Sequence, residues 1–216
     1  MSATALFVTL EGIDGSGKST QARRLAEALR ARGHEVVLTR EPGGSPGAEQ
    51  IRALLLDGPP ERWSPQTEIL LFTAARRDHL ERVIEPALSR GAVVICDRFA
   101  DSTRVYQGLR GADLGALVDR LHALIIGREP DLTLLLDIDP QAGLGRAAAR
   151  ARLRARAGAQ GESRFEAFGA PFQARLRQGF LDLARAHPQR FVVIDAARPA
   201  EAVARDVLAA VQRRLR

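Results

Sequence analysis

Between an apolar run, Leu6-Phe7-Val8-Thr9-Leu10, and a stretch rich in Ala, Leu, Arg and Glu from Gln21 to Arg32, the chain carries Gly12-Ile13-Asp14-Gly15-Ser16-Gly17-Lys18-Ser19. This segment fits G-x-x-x-x-G-K-[ST]. The run before it predicts a strand and the stretch after it a helix. That order constrains the fold more than any other feature, because backbone N–H groups converge on phosphate oxygens when a strand and a helix N-terminus hold the two ends of such a loop. Gly12, Asp14, Gly15, Ser16, Gly17 and Thr20 complete the expected cradle for a nucleoside triphosphate. Lys18 is placed to reach its β- and γ-phosphates, and Ser19 offers a hydroxyl to Mg²⁺.

The rest of the chain repeats the strand-helix alternation. Val36–Thr39, Ala92–Cys96, Leu132–Leu136 and Phe191–Ile194 are short apolar runs that predict four more strands. Helices are expected at Ala48–Leu56, Pro65–Leu88 with Pro86 kinking or ending it, Asp113–Ile126, Gln141–Arg156, Phe165–Ala186 and Ala200–Leu215. The pattern predicts a three-layer α/β/α fold around a five-stranded parallel sheet, in one domain spanning residues 1–216. Gly158-Ala159-Gln160-Gly161 interrupts two Arg-rich helical stretches and suits the tip of a lid.

The net charge of +6 points to anionic partners, yet acidic residues are interspersed almost throughout, which argues against a nucleic-acid arm. The absence of any long apolar run and of a signal-like start leads to the expectation of a cytoplasmic protein without a membrane span. Lys18 is the only lysine among 32 cationic side chains. An ammonium on a flexible stem fits inside a tight loop where a planar guanidinium does not, so the one position that kept lysine is the one that needs it. A GTPase of the usual kind needs an Asn-Lys-x-Asp stretch, and a chain whose lysine is already committed cannot supply it. An ATPase driving a partner remains open; its only candidate surface, Arg146, Arg150, Arg152, Arg154 and Arg156, does not form one helical face. Cys96 reads as a small buried hydrophobe, and His34, His79, His122 and His187 show no metal spacing.

Other residues form candidate sets. Phe72 and Arg76 share the stripe of Ile69, Leu80 and Val83, offering an aromatic face and a planar donor fork one turn apart. Asp97 ends a strand, so its carboxylate emerges at the carboxyl edge of the sheet, where it can meet Mg²⁺. Arg98 follows, suited to charge shared between leaving and accepting oxygens. Arg40 and Arg52 flank the loop Glu41-Pro42-Gly43-Gly44-Ser45-Pro46-Gly47 and are candidates for an acceptor phosphate.

At Leu10–Gln21, Thr39–Ser45, Phe72–Arg76 and Asp97–Gly108 the sequence resembles the thymidylate kinase family, with the segments in the family's order. The resemblance implies a phosphate-loop kinase that holds MgATP and dTMP in opposed sites and closes a lid over the phosphates, here about residues 146–166. It implies that Phe72 and Arg76 read thymine and that Thr103, Tyr106 and Gln107 touch base and sugar, with Tyr106 pressing where a ribose 2′-hydroxyl would sit. Asp14 is implied near the acceptor 3′-hydroxyl and the metal, Arg146 against adenine, and Arg150 as the lid cation. The implied catalytic set is Lys18, Arg98, Asp14 and Arg150, and a homodimer is expected. Alternatives are another nucleoside monophosphate kinase or a deoxynucleoside kinase. The sequence departs from the family at three places: Phe99 replaces tyrosine or histidine, Thr103-Arg104-Val105 replaces a small-residue pattern, and Ser163-Arg164-Phe165-Glu166 lacks the acidic first residue, leaving Glu166 without an assigned role. Gly15 also stands where some family members carry arginine.

Overall fold

The computed structural model describes residues 5–59, 61–156 and 169–215. Strands β1 (Leu6–Glu11), β2 (Val36–Arg40), β3 (Val93–Asp97), β4 (Leu132–Asp137) and β5 (Phe191–Asp195) form one sheet in the order β2-β3-β1-β4-β5. All neighbours are parallel; Val8 lies opposite Ile95 on one side and Leu132 on the other. Parallel neighbours need crossovers, and the helices that supply them cover both faces, giving the expected three layers. The central strands β1, β3 and β4 are buried almost throughout, which is why they read as unbroken apolar runs. Edge strands β2 and β5 keep exposed positions such as Arg40 and Val193.

Side chains alternate across β1. Leu6, Val8 and Leu10 pack with Leu25 and Leu29 of α1 (Lys18–Arg30), Phe180 of α8 (Gly169–Ala186) and Val207 of α9 (Ala200–Gln212). Phe7 packs on the other side with Val94, Cys96, Ile84 and Phe99. The same period of two puts Thr9 and Glu11 on the Phe7 face, both fully buried. Cys96 is buried as expected, and burial pushes its thiol well above the ordinary value.

Helix α1 starts at Lys18, three residues earlier than the apolar periodicity suggests, with Gly17 as its N-cap. Helix α2 (Pro46–Leu56) follows the Pro-Gly loop, and α3 (Pro65–His79) opens as expected, with Ser64 Oγ accepting the Thr67 N–H. The long helix does not run unbroken to Leu88. A π-helical turn, Leu80–Ile84, separates α3 from α4 (Glu85–Ser89), and Pro86 sits in the first turn of α4. Proline removes one helical donor and crowds the preceding turn, and the wider π turn accommodates both.

A short helix, α5 (Ala100–Tyr106), follows β3 and was not apparent from periodicity. Helix α6 (Leu114–Leu121) ends in a second π turn, His122–Ile126, closed by Gly127. Helix α7 (Pro140–Arg156) carries the Arg-rich segment. Gly158–Gly161, Ser163–Glu166 and the side chains of Arg154 and Arg156 lie outside the described residues, and the helix expected from Phe165 is described from Gly169.

Candidate active site

The central strand β1 delivers the glycine loop to the carboxyl edge of the sheet, and α1 carries it away. Gly12 and Gly15 both need the absence of a side chain. Gly12 has φ +139°, and a Cβ there would lie 2.6 Å from the carbonyl oxygen of Leu136. Gly15 has φ +75°, and its Cβ would fall 1.9 Å from the carbonyl oxygen of Gly143 on α7. This explains in physical terms why arginine cannot occupy the position here.

Lys18 Nζ folds into its own loop, donating to the carbonyls of Gly12 at 3.0 Å and Ile13 at 2.9 Å, with Ser16 Oγ at 3.4 Å. Burial, then the nearby Arg98, push its ammonium down to about 8, against the pull of Asp14, Asp97 and Glu11. Ser19 Oγ donates to Asp97 Oδ2, so the hydroxyl of α1 and the carboxylate at the end of β3 meet at the mouth of the loop.

Arg98, next in the chain, is the only non-glycine residue with positive φ, +70°, among the described residues. Backbone of this kind costs about 1–3 kcal/mol and persists only where surroundings enforce it. The enforcement is visible. The Arg98 N–H donates to Leu10 O at 3.0 Å, and its carbonyl accepts from Cys96 Sγ at 3.0 Å. Both terminal nitrogens of its guanidinium are engaged: Nη1 with Gly12 O at 3.1 Å and Ser102 Oγ at 2.9 Å, Nη2 with Asp14 Oδ1 at 2.7 Å and Tyr106 Oη at 3.1 Å. Asp14 also accepts from Gln173 Nε2 at 3.2 Å. Burial works to raise Asp14, but Arg98 and Lys18 outweigh it and hold the carboxyl below its ordinary value. Arg98 is held above its usual value, since Tyr106, Asp14, Glu11 and Asp97 together overcome its burial.

Two cavities open on either side of this cluster. One is lined by Phe72, Arg76, Phe99, Thr103, Tyr106 and Gln107, with Pro42, Leu56 and Ser102. The other is lined by Gly15, Gly17, Lys18, Ser19, Thr20, Arg40, Asp97 and Arg150. Asp14, Glu41, Arg52 and Arg98 line both. In the first cavity Arg76 is buried, its Nε donating to Glu41 Oε2 at 2.7 Å and Nη2 to Thr103 Oγ1 at 2.9 Å. Glu41 is held in turn by His79 Nδ1 at 3.1 Å, and His79 Nε2 lies 2.7 Å from Thr39 Oγ1. Gln107 donates to Glu68 at 3.1 Å. Arg52 donates to the carbonyl of Pro42, and exposed Arg40 pairs with Glu49 at 3.3 Å.

The structure therefore gathers Asp14, Arg52, Phe72, Arg76, Arg98, Thr103, Tyr106 and Gln107 at the first cavity. The loop residues, Arg40, Asp97 and Arg150 gather at the second. Gly12 and Ser16 are buried within the loop. Arg146 lies at neither cavity; its fork donates to the carbonyls of Ala196 at 3.0 Å and Ala197 at 3.4 Å, beyond β5. Glu11, Glu41, His79, Ser102 and Gln173 were not picked out from the sequence. Glu11, an acidic residue closing an apolar strand, was the one legible signal among them.

The family model described as thymidylate kinase matches residues 10–207. The chain is 68% identical over 207 residues to thymidylate kinase of Ruegeria pomeroyi, covering 96% of this chain and 94% of that one. It is 64% identical over 209 residues to thymidylate kinase of Dinoroseobacter shibae, covering 97% of each. A crystal structure of thymidylate kinase from Ehrlichia chaffeensis superposes with a TM-score of 0.75 at 37% identity, covering 97% of this chain and 99% of that one. With the phosphate loop, the paired cavities and these likenesses along nearly its whole length, the chain belongs to the thymidylate kinase family.

Proposed function

We propose that the protein transfers the γ-phosphoryl group of ATP to dTMP, giving ADP and dTDP. The observation that carries this reading is the shared wall of Asp14, Glu41, Arg52 and Arg98 between a base-sized cavity and the phosphate-loop cavity, since two phosphate chains entering from opposite sides would meet there.

On this reading ATP lies on Gly12–Thr20, with Lys18 leaving its own loop carbonyls for the β- and γ-phosphates and Arg146 near adenine. The acceptor base lies against Phe72 with Arg76 at its edge; Thr103, Tyr106 and Gln107 contact base and sugar. Arg40, Arg52 and Arg98 take the acceptor phosphate. The acceptor is already an anion, so no general base is required, and catalysis is positioning and charge supplied by Lys18, Arg98, Asp14 and, from the lid segment 146–166, Arg150. Ser19 Oγ and Asp97 Oδ2, two hard oxygen donors within hydrogen-bond reach, suit Mg²⁺, which takes most of its ligands from water and phosphate. Bound there, Mg²⁺ would neutralise charge on the β- and γ-phosphates.

The same reading makes the chain one kinase domain acting in the cytoplasm as a homodimer. Leu70 of α3 and Leu124 and Ile125 of the π turn packed beside it are exposed, as an apolar subunit contact requires. No helix among the described residues is long and apolar enough to cross a membrane.

The test is an ADP-coupled assay with ATP and each of dTMP, dUMP, UMP, dCMP, AMP and GMP. A preference for dTMP is expected; a higher kcat/KM for any other acceptor overturns the substrate assignment.

A further inference from the structure

We propose that Glu11 is a positioning residue for Arg98, acting through the hydroxyl of Ser102. The inference rests on the reading of Arg98 as the group that stabilises the transferring phosphoryl.

Glu11 ends β1 and is fully buried, and it lines neither cavity, so it touches no reacting atom. Its carboxylate accepts three bonds, all from the segment that follows Arg98. Oε1 accepts the N–H of Phe99 at 2.8 Å and of Ser102 at 3.2 Å; Oε2 accepts Ser102 Oγ at 2.6 Å. The first two bonds pin the start of α5 against β1 immediately after the left-handed Arg98. The third fixes the direction of a hydroxyl. Above about pH 7 the carboxylate is ionised and only accepts, so Ser102 Oγ spends its hydrogen on Glu11 and turns its lone pairs to Arg98 Nη1, 2.9 Å away. Glu11 thus sets how Ser102 receives the guanidinium.

Glutamine removes this acceptor at constant shape. The two backbone N–H groups select the amide oxygen, which leaves the amide nitrogen facing Ser102 Oγ. That nitrogen donates, so Ser102 Oγ meets a donor on both sides, and its hydrogen loses the acceptor that fixed its direction and strengthened its hold on Arg98. A residue that merely caps α5 would keep both backbone bonds in Glu11→Gln and lose nothing specific to catalysis.

The experiment compares the unaltered protein with Glu11→Gln, Ser102→Ala and the double variant in steady-state kinetics and thermal unfolding at about pH 8, where Glu11 is ionised. It uses whichever nucleoside monophosphate the unaltered protein phosphorylates fastest, so failure of dTMP as acceptor would strike the functional reading and leave this test intact. In Glu11→Gln, kcat is expected to fall on the order of 10- to 100-fold, with both KM values within about twofold. The double variant is expected to be no slower than Glu11→Gln alone, because Glu11 acts through a hydroxyl that is already gone. Unchanged kcat in Glu11→Gln, or losses that multiply in the double variant, would overturn the proposal. Should Glu11→Gln fail to fold, Ser102→Ala decides alone: a fall in kcat of about 10-fold is expected, and a normal kcat refutes the connection.

Discussion

The backbone of Gly15 lies so close to Gly143 of α7 that a methyl group on the first would fall 1.9 Å from the carbonyl oxygen of the second. The contact is tight in both directions, since a Cβ on Gly143 would come within 2.7 Å of the Asp14 carbonyl oxygen. The phosphate loop and the root of the Arg-rich helix are thus fitted backbone to backbone. Gly15→Ala should therefore lower folding stability by at least about 1–2 kcal/mol and raise the KM for ATP about 10-fold. Denaturant titration and ATP saturation curves check this, and a variant indistinguishable from the parent would show that the loop can yield.

Lys18→Arg keeps the charge and changes only its shape. The ammonium sits between two loop carbonyls at 2.9 and 3.0 Å, a space that a planar fork on a longer stem cannot share. A fall in kcat on the order of 100- to 1,000-fold is expected, measured in single-turnover experiments at saturating ATP. Near-normal turnover would remove the argument from the solitary lysine.

Arg76 lines the first cavity and not the second, and it forms a buried pair with Glu41. Arg76→Met should raise the acceptor KM about 10- to 100-fold while leaving the ATP KM in place, and should cost about 3–5 kcal/mol of stability because the Glu41 carboxylate is left buried without its guanidinium. Adding Glu41→Gln should recover part of the stability and none of the acceptor affinity. If affinity returned with stability, Arg76 would be a packing residue and not a base reader.

Burial, with the Asp101 carboxylate second, pushes Glu11 from its ordinary value of 4.5 up to about 7, against Arg98, Ser102 and Phe99. Between those values the folded chain holds the proton and the unfolded chain has released it. This group's contribution to stability is therefore fully present below 4.5 and is lost as pH rises through about 7. The whole span is worth about 3 kcal/mol. Unfolding free energies measured from about pH 5 to about pH 8 should decline less steeply in Glu11→Gln than in the unaltered protein, and parallel curves would place the titration elsewhere.

The strands were legible to within a residue or two because a parallel sheet covered on both faces writes continuous apolar runs, as in β1, β3 and β4. The glycine loop was legible because its chemistry is local. Helix α5 was not. It spans only Ala100–Tyr106, and its first turn is capped by Glu11, 91 positions before Ser102 in the chain. Similarly, Gln173 meets Asp14 across 159 positions, and only the fold brings them together. Sequence also gave Arg76 an apolar stripe to lie on without showing that Glu41, inside a Pro-Gly loop, would be its partner. Arg146 was placed on the correct helix, yet which carbonyls its fork would reach depended on where β5 ends.

That a single lysine lies buried in the phosphate loop bears on how the protein meets acylating reagents. Outside the backbone terminus there is one primary amine to modify, and it sits 7% exposed among loop carbonyls where triphosphate is expected to bind. Modification of a side-chain amine in this chain is thus a report on nucleotide-site access, free of the surface background that most proteins give.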